Sequence, residues 1–174
     1  MSEVATKVGT AARDVADRYS GEDDVPVGSY AAVVGTYLAG VTAAAVAAKA
    51  MGRSLPSRIG AGDVLLLGIA THKGTRLLGK GKVTSFLRAP FTRYQRAATA
   101  AEVNEAPRGR GVGRAVGELV TCPFCLGMWV GTGLVAGSVL APRATRLAAS
   151  TLAVVSISDW LQFAWSLTQQ ATED

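Results

Sequence analysis

The chain has 174 residues, of which 49% are hydrophobic and only 18% are charged. A soluble domain usually holds about 25% charged residues, so this composition favours a chain that lies in lipid over an ordinary water-soluble domain. Two cysteines exclude a disulfide-rich secreted scaffold, and a net charge of +5 predicts a basic surface that faces a membrane or a nucleic acid.

The N-terminal region, residues 1–28, is polar and acidic. Apolar residues recur at helical spacing over residues 2–19, which predicts a weakly amphipathic helix that is marginal alone. An acidic linker broken by Pro26 then runs over residues 20–28.

A membrane domain is predicted over residues 29–174, and its first span covers residues 29–51. About 20 apolar residues cross a bilayer core, and the only charge here is Lys49, close to the end. The next apolar segment, residues 61–78, is shorter and contains Asp63. It is either a half-inserted helix or a full span, and the sequence leaves both readings open.

A basic loop follows over residues 79–120, and ten of the 18 Lys and Arg residues lie between positions 72 and 115. Pro90 should end a helix near Ala89, and Ala97–Val103 predicts a short helix. Basic side chains interspersed with aromatic ones beside a span suit anionic lipid headgroups better than nucleic acid, at about 1 kcal/mol per base. A solvated loop that only fixes topology is the alternative. The candidate lipid- or partner-binding residues are Lys80, Lys82, Arg88, Arg93 and Arg96.

Two further spans are predicted over residues 123–141 and 147–168. The first has the small-residue spacing of closely packed membrane helices, and the second carries tryptophans toward its C-terminal end. The candidate helix-packing residues are Gly127, Gly131, Gly133 and Gly137. The positive-inside rule puts the basic loop and the C-terminus in the cytoplasm. The N-terminus is cytoplasmic if residues 61–78 span the bilayer and external if they do not.

The segment Lys82-Val-Thr-Ser-Phe-Leu-Arg-Ala-Pro-Phe91, followed by Gly117-Glu-Leu119 and Cys122-Pro-Phe-Cys-Leu-Gly127, resembles a small family of bacterial membrane proteins. That family is catalogued as domain of unknown function 1360, and the resemblance covers roughly residues 58–168. It implies an integral protein of the bacterial plasma membrane, with some members linked to spore formation.

The cysteine pair is the first candidate for chemistry. Either Thr121 or Cys122 can serve as the N-cap, and Pro123 suits N1. With Cys122 as N-cap, Cys125 lies in the first helical turn, where the helix dipole favours thiolate at Cys125. Thiol–disulfide exchange uses this geometry. A zinc site completed by His72 is another reading, although zinc usually takes four protein ligands in a structural site. Two buried structural cysteines are the third reading.

Asp159 is the second candidate, because it falls midway along the last predicted span. A lone carboxylate at the bilayer centre costs roughly 2.5–3.5 kcal/mol on insertion scales, so it should have a partner. It is read as part of a proton or cation pathway, or as an anchor for Lys or Arg from another span. Alternatively the span ends near Ser158 and Asp159 lies at the interface.

The predicted fold is an all-α, small polytopic membrane bundle with three full spans plus one short inserted or spanning helix. The sequence favours a non-enzymatic protein without a cofactor, contacting anionic lipid, a membrane-protein partner or a second copy through the basic loop. The alternatives are a thiol-redox or zinc-binding protein that uses the cysteine pair, and a small ion or proton conductor that uses Asp159.

Overall fold

The computed structural model describes residues 2–20 and 25–173, so residues 21–24 of the predicted acidic linker lie outside it. The described chain is mostly helical. Its helices, in chain order, are α1 (Ser2–Ser20), α2 (Val27–Ala50), α3 (Ala61–Lys80), α4 (Ser85–Arg88), α5 (Gly111–Thr121), α6 (Pro123–Leu140) and α7 (Pro142–Glu173). Two strands, β1 (Thr92–Ala97) and β2 (Val103–Pro107), lie between α4 and α5.

Helix α3 lies between α6 and α7 and contacts both along its length. A Cβ at Gly74 would lie 3.1 Å from Val130 of α6 and 3.8 Å from Leu152 of α7, so glycine lets the three helices approach closely. Near the start of α3, Asp63 pairs with Arg146 of α7, and near its end Gly79 lies against Leu126 of α6. Helix α3 therefore runs antiparallel to α6 and parallel to α7.

Helix α2 packs against α5 and α6. Near the start of α2, Tyr30 donates a hydrogen bond to Glu118 of α5. Further along, Tyr37 contacts Trp129 of α6 edge-on at a ring-centroid distance of 5.3 Å. The start of α2, the end of α3 and the start of α6 consequently lie at the same end of the bundle.

The strands correct the all-α prediction and the short helix predicted over Ala97–Val103. They form an antiparallel hairpin in which Thr92 pairs with Pro107 and Ala97 with Val103, with an irregularity between Tyr94 and Arg96. The alanine-rich segment forms the hairpin connection instead of a helix, because the Thr99 hydroxyl accepts hydrogen bonds from the amides of residues 101 and 102. A two-stranded hairpin is marginal alone, and β2 gains its support by packing on α5.

Within the part of the chain that the structure describes, α2, α6 and α7 are long and apolar enough to cross a membrane. Many of their large apolar side chains are exposed. Val34, Leu38 and Val46 of α2 are 56%, 57% and 62% exposed, whereas buried positions of the bundle hold alanine, as at Ala70, Ala149 and Ala153.

Candidate functional site

The end of the bundle that carries the start of α2 is covered by a compact polar region. We call this region the polar cap and define it as residues 76–122, from the last turn of α3 to the residue before α6. Arg88 lies at its centre, is 2% exposed, and is the largest fully buried side chain of the described residues. Its Nε donates to Glu105 Oε2 of β2 at 2.6 Å, and the Glu105 side chain is itself buried.

The remaining guanidinium nitrogens of Arg88 bind the end of α3. One Nη donates to the carbonyl of Leu78 at 2.6 Å and the other to the carbonyl of Gly81 at 3.0 Å. The hydroxyl of Thr84 donates to the carbonyls of Leu77 and Gly81. These bonds satisfy carbonyls that a helix C-terminus leaves without partners, so the segment that carries the family resemblance acts as a cap for α3.

The prediction that Arg88 binds lipid or a partner is therefore wrong. Each hydrogen bond that Arg88 donates ends on an acceptor inside the polar cap. A side chain that is 2% exposed cannot reach a headgroup. Sequence reasoning missed Glu105 as its partner. No local signal would have found it, because the pair forms only when the hairpin brings β2 to α4.

The other predicted cations divide between two surroundings. Lys82, Arg93 and Arg96 are exposed, while Lys80 is half-buried and its charge acts on Cys122. Large apolar and aromatic side chains are exposed beside them. These are Val83 (79%), Phe86 (69%), Leu87 (52%) and Tyr94 (65%). We call residues 82–87 together with β1 the basic–aromatic face.

The cysteine pair lies where the polar cap meets α6. Cys122, one of the two N-caps that the sequence allows, is the N-cap of α6, and Pro123 follows at N1. The two Sγ atoms lie 2.7 Å apart, and the Cys125 amide donates to Cys122 Sγ at 3.2 Å. Cys125 is exposed and Cys122 is half-buried, so at least one sulfur is open to a reactant.

Cys122, and not Cys125, is the sulfur that accepts these hydrogen bonds, which corrects the assignment of the thiolate. Burial acts to raise the pKa of Cys122, but other contributions outweigh it and leave that pKa below its usual value. They are the hydrogen bond from the Cys125 thiol, the amides of Cys125 and Phe124, and the positive charge of Lys80.

The structure does not bring the predicted third zinc ligand, His72, to the cysteine pair. His72 lies on α3 beside Ser156 and Trp160 of α7, and not beside the cysteines. Across residues 2–20 and 25–173, no three His, Cys, Asp or Glu side chains come close enough together to hold a metal ion.

Asp159 is not alone on α7, because its carboxylate forms an ion pair with Lys73 of α3. This is the anchoring arrangement that was one of its predicted readings. One turn further along α3, Arg76 binds Glu102 of the polar cap through two nitrogens, Nε at 2.9 Å and one Nη. Helix α7 continues through Asp159 to Glu173. A helix can extend beyond the bilayer, so the alternative in which the span ends near Ser158 and Asp159 lies at the interface stays a prediction.

The four predicted packing glycines also divide. Gly131 faces Thr71 of α3, and a Cβ at Gly137 would lie 2.6 Å from the Thr145 hydroxyl of α7. At Gly127 and Gly133 a Cβ would meet no described atom within 4 Å, so these two are not packing residues within the chain. Pattern alone cannot separate the two pairs, because it does not say which face of α6 meets another helix.

Of the comparisons with known proteins, only the one with protein families gives a match. No curated protein and no solved structure matches the chain. The sequence profile of the family described as Protein of unknown function (DUF1360) matches residues 66–165. The match runs from α3 through the polar cap and α6 into α7, and therefore includes the Arg88 cluster, both cysteines and Asp159. The chain belongs to this family.

Proposed function

We propose that the protein is an integral, multi-pass protein of the cell membrane. The outward-facing apolar side chains carry this proposal. In the most apolar 18-residue stretches of α2 and α6, only 6% of the residues are buried. Water would make so large an exposed apolar surface costly, at about 25 cal/mol per Å², whereas hydrocarbon removes that cost.

In this proposal α3 crosses the bilayer together with the three apolar helices. It has 20 residues, about 30 Å of helix, and it runs between the same two ends of the bundle as α6 and α7. Four crossings put residues 51–60 and the turn at 141 on one side. The N-terminus, the polar cap and the C-terminus lie on the other, which the positive-inside rule makes cytoplasmic.

Membrane insertion is tested by extraction and topology mapping. We expect the protein to stay in the membrane fraction through alkaline carbonate and to need detergent for solubility. In a Cys122→Ala/Cys125→Ala background, a cysteine at Ser54 should react with an impermeant maleimide in intact cells. A cysteine at Arg96 should react only after the cells are opened. A protein that is monodisperse in buffer without detergent would overturn the proposal.

We further propose a non-enzymatic role in which the basic–aromatic face lies against anionic headgroups of the cytoplasmic leaflet. The exposed bases Lys82, Arg93 and Arg96 supply the charge, and Phe86 with Leu87 supplies apolar area at the level of the interface. Each base near an anionic surface contributes about 1 kcal/mol.

This contact is tested with a fluorophore on Phe86→Cys in the cysteine-free background. In nanodiscs that contain a headgroup spin label, quenching should rise when phosphatidylglycerol replaces phosphatidylcholine. Charge reversal at Arg93 and Arg96 should abolish that rise. The matched control reverses Arg53 and Arg58, which carry the same charge at the opposite end of the bundle, and should keep it. Equal quenching in both lipids would contradict the proposal.

A second candidate function is thiol–disulfide exchange, favoured by the adjacent sulfurs and the lowered pKa of Cys122. The Cys122 thiolate would attack the disulfide of a protein or small molecule, forming a mixed disulfide and releasing one thiolate. Cys125 would then lose its proton, attack the Cys122 sulfur and release the second thiolate. The substrate gains two electrons, and the protein is left with a Cys122–Cys125 disulfide.

Equilibration of the purified protein with glutathione buffers tests this candidate. The pair should convert cooperatively between dithiol and disulfide at one measurable potential. In Cys122→Ser, the remaining Cys125 should form mixed disulfides in lower yield than Cys122 does. A pair that stays reduced across the whole range would exclude the exchange reaction.

A further inference from the structure

A groove runs along the outer face of the bundle where α3 and α7 meet. Its first part is a cavity of about 490 Å³ lined mostly by apolar residues. Val64 and Leu65 of α3 and Ile157 of α7 form its walls, and they are 50–65% exposed. At Gly68 a Cβ would meet no described atom within 4 Å, so the missing side chain leaves the groove open there.

The groove continues into a polar recess of about 340 Å³ at the polar-cap end. The two parts share His72, Ser156 and Trp160, which makes them one continuous depression. Arg76 and Lys73 lie four and seven residues before the end of α3, about 6 and 10 Å from its proposed cytoplasmic end, and their long side chains can extend toward that end. The recess therefore lies at the headgroup level of the proposed cytoplasmic leaflet, where the indole of Trp160 is also suited.

The recess combines three basic side chains with two carboxylates. Lys73 pairs with Asp159 and Arg76 with Glu102, and His72 lies at the boundary with the apolar part. The pairs do not use every donor. Lys73 spends one of its three N–H bonds on Asp159, and one Nη of Arg76 has no hydrogen-bond partner among the described residues. Both side chains line the recess, and a phosphate accepts charge-assisted bonds from both side-chain types.

We infer that the groove between α3 and α7 binds one anionic phospholipid. An acyl chain lies against Gly68, and the phosphate lies in the recess beside Lys73 and Arg76. This inference rests on the proposed membrane insertion. A phospholipid fits better than a helix from a partner, because a helix over the recess would strip water from two ion pairs at a cost of several kcal/mol per ion. A headgroup leaves them hydrated.

The experiment uses the full chain in nanodiscs, with Trp129→Phe and Trp165→Phe so that Trp160 of the groove is the remaining tryptophan. Phosphatidylglycerol or phosphatidylcholine with a brominated acyl chain is added at equal mole fraction. We expect the anionic lipid to quench Trp160 more strongly, and native mass spectrometry to find one phosphatidylglycerol retained per chain.

Two variants locate the effect. Gly68→Leu should fill the groove and remove both the preference and the retained lipid. Gly62→Leu should keep them, because Gly62 lies on the same helix, also has open space at its Cβ, and lines neither cavity. The double variant Arg76→Gln/Glu102→Gln leaves the net charge unchanged. It should still lower the preference for phosphatidylglycerol. Lys73→Met removes a donor to the lipid phosphate. It should reduce the preference for the anionic lipid by about fivefold, as expected for one base at an anionic surface.

Three results would overturn the inference. The first is equal quenching by both lipids. The second is a preference that Gly68→Leu leaves intact. The third is efficient cross-linking of Leu65→Cys between two chains, which would show a second copy in the groove. If the protein needs detergent but shows any of these, membrane insertion stands and the lipid site fails. If it needs no detergent, both fail.

Discussion

The polar cap buries a charged pair at its centre, whereas the apolar helices bury small residues. In the polar cap an arginine and a glutamate are buried against each other, and apolar residues such as Val83 and Phe86 are exposed. Along α2, α6 and α7 most buried positions hold alanine, as at Ala48, Ala149 and Ala153, whereas large apolar residues such as Val34, Leu38 and Val154 are exposed. The cap is held together by directed polar bonds, whereas the helices are held by close backbone approach, and each suits a different solvent.

The largest expected effect lies in the cap. Arg88→Met would leave Glu105 buried without its partner and remove the bonds to the Leu78 and Gly81 carbonyls. Breaking one side of a buried pair costs about 3–5 kcal/mol, so thermal unfolding in detergent should shift strongly downward. Arg93→Met, an exposed base on β1, is the matched control and should change little. Similar melting of the two variants would show that the buried pair does not hold the cap.

The next effect tests the helices. Val154 of α7 is 66% exposed and Val83 of the cap is 79% exposed. In the proposed bilayer Val154→Arg should cost about 2.5–3.5 kcal/mol and lower the yield in the membrane fraction. Val83→Arg should stay within about 0.5 kcal/mol, because it faces water or headgroups. If both are tolerated alike, the solvent of α7 is water and the contrast between the two regions disappears.

A smaller effect is expected where α5 packs on the hairpin. A Cβ at Gly117 would lie 2.5 Å from the Phe91 carbonyl oxygen and 3.1 Å from Pro107. Gly117→Ala should therefore destabilise the cap by about 1–3 kcal/mol. Gly113→Ala on the same helix has open space at its Cβ, and its higher helix propensity should stabilise by up to about 1 kcal/mol. Opposite signs in unfolding experiments would confirm the close contact, and equal signs would contradict it.

The smallest effect lies at the junction of the two regions. Because the pKa of Cys122 is lowered, its thiolate fraction at a given pH below the usual thiol pKa is higher in the folded protein than in the unfolded chain. Alkylation of Cys122 by iodoacetamide, followed by mass spectrometry, should therefore level off at a lower pH. Cys125→Ala removes the thiol donor and should move that profile upward. An unchanged profile would mean that the side-chain hydrogen bond does not stabilise the thiolate.

The sequence predicts the helices better than the cap. Hydropathy locates α6 and α7, Pro123 marks the start of α6, and Pro90 correctly ends α4. Helix α7 begins at Pro142, five residues before the span predicted over residues 147–168. The hairpin is missed because its connection has no Asn-Gly signal and its alanines favour a helix. Helix α5 is not predicted, because the segment where it begins is glycine-rich. Gly109 and Gly111 take positive φ values of 82° and 57° there and turn the chain.

The candidate site is predictable in its local parts only. Neighbouring residues narrow the N-cap of α6 to Thr121 or Cys122, and the structure has Cys122. The partners of Arg88, Lys73 and Arg76 are 17, 86 and 26 residues away, so they depend on the hairpin and on the arrangement of helices. An ionisable residue in an apolar segment predicts that a partner exists without saying which one.

The ion pairs of α3 also order the events of synthesis. Asp63 receives Arg146 from 83 residues downstream, and Lys73 receives Asp159 from 86 residues downstream. While the ribosome is still making the cap, α3 carries charges without counterions and is poorly suited to enter hydrocarbon alone. In the proposed topology its stable insertion must therefore wait for the C-terminal helix to be translated, which makes α3 dependent on the last helix of the chain.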